Sequence, residues 1–120
     1  MELRRKRAYD TAEPSDGFRV LVDRLWPRGV SKEEAAIDLW AKDVSPTTEL
    51  RHAWHAAAPE DQHIYEDQYR AQLAGPSADA LHTLVDELKP HPVVTLVYAS
   101  RNTVSDNAEV LEEVLQPLLE

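Results

Sequence analysis

The stretch Pro92-Val-Val-Thr-Leu-Val-Tyr98 constrains the fold more than any other part of this chain. A nearly continuous apolar run closed off by breakers is the pattern of a strand buried on both faces. A second run, Phe18-Arg-Val-Leu-Val-Asp23, reads as another strong strand with its apolar centre at Val20, Leu21 and Val22. Leu3 to Tyr9 alternates as a strand but is polar, which suits a sheet edge where charge discourages foreign pairing. Between the first two strands, Pro14 fixes φ and Asp16-Gly17 permits a positive φ, so 11–17 is a turn.

Helical signals fill the space between and after these strands. Ser31-Lys-Glu-Glu34 has capping-box spacing and opens a short helix. Ile37 to Asp43 fits either a short strand or one helical turn. Ser45-Pro46 reads as the N-cap and first residue of a helix running to about Ala57. Pro59 ends that helix and begins another, which closes near Gly75 and carries Tyr65, Tyr69 and Leu73 as its core stripe. Ser77 is expected to cap a helix with Leu81, Leu84, Val85 and Leu88 on one face, stopped by Pro90 and Pro92. A last helix starts at about Ser105, with Ala108, Leu111, Val114, Leu115 and Leu118 on one stripe and Pro117 limiting its final turn. The expectation is an α/β fold: one layered domain over residues 1–120, with a small mixed, partly parallel sheet and packed helices.

Composition narrows the chemistry. The absence of Cys excludes disulfides, a thiolate nucleophile and Cys-ligated metal centres. No apolar run approaches the roughly 20 residues needed to span a bilayer, and the first residues lack a signal-peptide core, so no membrane partner and a cytoplasmic location are expected. The net charge of −9 is unevenly placed. Residues 1–32 hold eight Lys/Arg against five acids, whereas 33–120 hold five against seventeen. This acidic body argues against nucleic acid as a partner but leaves room for a small anion at the basic corner. Glu49, His52 and His55 superficially resemble a ligand set, yet both histidines fall off the apolar face of their helix, so no metal is expected. With only three glycines there is no phosphate loop, and no cofactor is indicated.

Two segments could carry function. Asp23-Arg24-Leu25-Trp26-Pro27-Arg28-Gly29 follows a buried strand, where open α/β sheets place ligand crevices. There Arg24 and Arg28 could hold a carboxylate or phosphate and Trp26 could cover a planar group, while Asp23 orients an arginine or serves as a base. The structural alternative has both arginines clamping Asp38 or Asp43. The second segment, Tyr98 to Ala108, joins a buried strand to a helix N-terminus and offers Arg101 and Asn107. Should the two strands be parallel neighbours, both segments face one crevice. Whether a reaction takes place there stays open, and so does a second role, a non-catalytic protein-interaction module with structural arginines.

Lys6-Arg7-Ala8-Tyr9-Asp10 and Asp16-Gly17-Phe18-Arg19-Val20-Leu21-Val22-Asp23-Arg24-Leu25-Trp26-Pro27-Arg28-Gly29 together resemble the YeaO-like family, domain of unknown function 488. The resemblance continues through Trp40 to Asp43, Ser45-Pro46, Glu49-Leu50-Arg51, the Tyr65/Tyr69/Leu73 spacing and Val94 to Ala99, so it covers nearly the whole chain. It implies a small α/β protein and marks Asp23, Arg24, Trp26, Arg28 and Arg101 as matching the family pattern. Two positions depart from that pattern. Asn102 stands where the family tends to be acidic, and Asp106, followed by Asn107, stands where it tends to have Asn.

Overall fold

A computed structural model of the chain describes residues 1–100 and 106–120. Four strands, β1 (Glu2–Arg7), β2 (Phe18–Leu21), β3 (Leu39–Trp40) and β4 (Val93–Tyr98), form one sheet in the order β1-β4-β2-β3. All three pairings are parallel, so parallel geometry extends to the whole sheet rather than part of it. The apolar β4 lies between β1 and β2, and the polar β1 takes an edge. Gly17 permits the close approach of β2 to β4. Its φ is +67°, and a Cβ there would stand 2.3 Å from the Val93 carbonyl oxygen.

Among the described residues, five α-helices complete the architecture: α1 (Lys32–Ala35), α2 (Thr48–Ala56), α3 (Gln62–Ala74), α4 (Ala78–Leu88) and α5 (Asn107–Leu119). The larger core packs Val20, Val22, Val94 and Leu96 against Trp54, Tyr69, Leu73, Leu84, Leu88, Leu111 and Leu115. Alternation along the strands sends Leu21 and Val97 to the other side, where Ala8, Trp26, Ile37, Trp40 and Ala99 make a thinner layer. β4 is therefore covered twice, as its composition requires. Among the described residues, no helix is long and apolar enough to cross a membrane.

Several helix boundaries differ from the sequence expectation. Thr47, not Ser45, caps α2, its Oγ1 accepting from the Leu50 N–H at 3.2 Å. Ser45 is buried and its hydroxyl donates to the Ala41 carbonyl, tying it to the 3₁₀ turn at Lys42–Val44. Ser77 does not cap α4 with its side chain, because its hydroxyl accepts from Gln72 Nε2 at 3.0 Å. Asp106 caps α5 by accepting from the Glu109 N–H at 2.8 Å, and the helix continues past Pro117 to Leu119. The ambiguous segment at 37–43 becomes the two-residue β3 followed by the 3₁₀ turn. Pro59–Asp61 forms a 3₁₀ turn leading into α3.

Candidate functional site

The carboxyl ends of β2 and β4 lie side by side, so the segments that follow them meet. Val22 extends the pairing by donating its N–H to the Val97 carbonyl at 3.0 Å. Asp23 then turns its carboxylate inward. Its Oδ2 accepts from the Ala99 N–H at 2.7 Å and its Oδ1 from Asn107 Nδ2 at 3.0 Å. Asn107 also donates to the Val22 carbonyl at 2.9 Å. One side chain thereby joins the ends of two strands to the start of α5. Burial pushes the Asp23 carboxyl above its ordinary value, and these two donors with the nearby Arg51 offset that only in part.

Around this floor opens a cavity of about 820 Å³. Its walls come from the loop after β2, from α2 and from the approaches to α5. Of the residues named from the sequence, Asp23, Arg24, Trp26, Arg28 and Asn107 line it; Arg101 lies outside the described residues. Gly29, at φ +79°, turns the loop beside Arg28. Trp26 is half-buried and donates its indole N–H to the Val30 carbonyl at 2.6 Å, which fixes the ring. Arg24 donates Nε to the Pro46 carbonyl and Nη2 to the Ser45 carbonyl, each at 3.0 Å. It therefore does not clamp Asp38 or Asp43; Asp38 instead accepts from the Arg19 N–H at 2.8 Å.

Arg28 and Arg51 differ from the basic residues that are held in ion pairs. Four of the N-terminal basic residues find acids: Arg4 pairs with Glu2, Arg5 with Glu112 at 3.1 Å, Lys6 with Asp16 at 3.2 Å, and buried Arg19 with Asp16 at 2.6 Å. Neither Arg28 nor Arg51 has an ion pair among the described residues, and both line the cavity. Sequence alone carries no site signal for Arg51, and for His55 only a superficial ligand spacing, because α2 reads as an ordinary amphipathic helix with a solvated polar face. Only the packing of α2 beside the β2 loop turns that face into a wall. Burial and Arg51 lower the His55 imidazole below its ordinary value, with Asp23 opposing. No group of side chains among the described residues is arranged to hold a metal ion.

A family profile described as the inactive DUF488-N3 subclade matches residues 2–120. The chain belongs to that family. It is 44% identical to the uncharacterized protein YeaO of Escherichia coli (strain K12) over 118 residues, covering 98% of this chain and 100% of the relative. It is 37% identical over 113 residues to the uncharacterized proteins Mb3100c of Mycobacterium bovis and Rv3073c of Mycobacterium tuberculosis, covering 94% of this chain and 92% of each relative. No solved structure matches the chain. Membership of the DUF488 family agrees with the resemblance carried by the segment from Val22 to Gly29.

Proposed function

We propose that this DUF488 protein binds a small ligand bearing a phosphate or carboxylate in the crevice at the carboxyl ends of β2 and β4. The observation that carries the reading is the pair Arg28 and Arg51. Both line one cavity and have no ion pair among the described residues, in a chain whose net charge is −9. A guanidinium offers a planar fork suited to an oxyanion, and two from different elements can grip one group from two directions. Trp26, half-buried on the same cavity, covers the ligand. The acidic remainder of the surface disfavours a nucleic-acid backbone, and the lack of Cys fits a cytoplasmic location.

Binding rather than turnover is the favoured reading. Asp23, the candidate base, has both carboxylate oxygens engaged by Ala99 and Asn107. The subclade's own description as inactive points the same way. A second reading, a protein-interaction module with structural arginines, draws support from Arg24, whose guanidinium holds two loop carbonyls. A thermal-shift screen against a panel of phosphorylated and carboxylated metabolites separates the two. An anionic compound should raise the wild-type melting temperature, and Arg28→Ala and Arg51→Ala should each weaken its binding at least tenfold while melting near wild type unliganded. Equal shifts in wild type and both variants would exclude the crevice. Arg28→Ala lowering the unliganded melting temperature by many degrees, with no compound active, would favour the second reading.

A further inference from the structure

The crevice is far larger than one oxyanion fills. Its volume of about 820 Å³ lies in the range of small-molecule sites, so a group that meets Arg28 and Arg51 has room for a body beside it. Much of the wall is carbon: Leu25, Trp26 and Pro27 from the loop after β2, and Trp54, Ala57 and Pro59 from α2 and the turn that follows. Leu25 is 57% exposed. A single exposed leucine on a surface loop means little by itself. This one is held out by its neighbours. Arg24 before it is tied to the Ser45 and Pro46 carbonyls, Trp26 after it to the Val30 carbonyl, and Pro27 is buried. With both flanks anchored, the loop keeps the Leu25 side chain at the cavity instead of folding it into the core.

Trp26 decides what kind of body fits. Its indole N–H, its one polar side-chain group, is spent on Val30, and Trp40 packs edge-on against the ring with 5.5 Å between centroids. Trp26 therefore offers a ligand aromatic surface in a fixed position and no hydrogen bond. Resting on the anion-binding reading above, we infer that the ligand carries an aromatic ring beside its phosphate or carboxylate. The anion meets Arg28 and Arg51, and the ring lies on Trp26 and covers Leu25. A flexible alkyl chain would also cover Leu25, but only a ring stacks on the indole, and a ring has less rotational freedom to lose on binding.

Calorimetric titration of the full chain at pH 7.5 and fixed salt tests this with two matched pairs and a neutral control. The pairs are phenyl phosphate with cyclohexyl phosphate and benzoate with cyclohexanecarboxylate; the control is phenol. At least one aryl anion should bind about tenfold more tightly than phenol and about threefold more tightly than its saturated twin. Leu25→Ser changes an exposed position and should melt near wild type, yet weaken that aryl anion about threefold. Saturated compounds binding as tightly as the aryl ones in both pairs overturn the inference and leave the anion reading standing. An aryl preference untouched by Leu25→Ser overturns the placement of the ring. Phenol binding as tightly as both aryl anions overturns the anion reading, and failure of every compound to bind overturns the reading and the inference together.

Discussion

Asp23 and Asp16 are both drawn into the interior, but their surroundings drive them in opposite directions. Burial raises Asp23, and the neutral donors Ala99 and Asn107 with the nearby Arg51 offset that only in part. Burial also acts to raise Asp16, yet the Glu13 N–H, Lys6 and Arg19 outweigh it and hold Asp16 below its ordinary value. The linkage signs are therefore opposite. The Asp23 contribution to stability falls as pH rises from the unfolded value through its higher folded one. That of Asp16 is complete above the unfolded value and is lost as pH falls through its lower folded one. Carboxyl carbon shifts followed against pH should give Asp23 a higher midpoint than Asp16, and the reverse order would refute this account of both sites. Asp16 also keeps Arg19, only 3% exposed, from being an unpaired buried charge. Asp16→Ala should cost about 3 kcal/mol in urea unfolding. Asp16→Ala combined with Arg19→Met should recover much of that loss, because no orphaned charge then remains.

At the level of elements, two turns depend on conformations that side chains rarely adopt. Gly17 starts β2 in contact with the Val93 backbone, so Gly17→Ala combines positive-φ strain with a clash against a carbonyl that has no freedom to move. A loss of at least about 2 kcal/mol is expected, read as a lower urea midpoint with an unchanged slope. Ala36 ends α1 in the left-handed region, at φ 47°, without being glycine. Ala36→Gly should stabilise the protein by roughly 0.5–1 kcal/mol, because it removes the Cβ penalty at a helix end that glycine normally occupies. A lower melting temperature for Ala36→Gly would contradict that reading. Helix ends were also where sequence signals misled. Ser45 and Ser77 have capping chemistry, but Ala41 and Gln72, four and five residues upstream, claim their hydroxyls. Capping propensity is local, and a buried hydroxyl goes wherever the fold supplies a partner.

Across the whole molecule, half of the basic corner read from the first 32 residues is neutralised on folding, since Arg4, Arg5, Lys6 and Arg19 all meet carboxylates. The surface left over is acidic, so duplex DNA should bind at 0.15 M salt more weakly than about 10⁻⁴ M in fluorescence anisotropy. Micromolar binding would show that the corner stays available to a polyanion. The α/β class, the burial of β4 on both faces and a polar β1 suited to an edge are legible in the sequence, as is a candidate crevice after β2 and β4 should those strands be parallel neighbours. Those features follow from hydrophobic period, breakers and the rule that ligands gather at the carboxyl ends of parallel strands. Asp23, Trp26, Arg28 and Asn107 were legible for the same reason, each lying just past a strand or at the start of a helix. Only the tertiary structure decided that Arg24 holds loop carbonyls, that Asp23 fastens three elements, and that Arg51 and His55 form a wall. Those roles depend on which residues distant in sequence come together, and a residue's type and spacing carry no record of that.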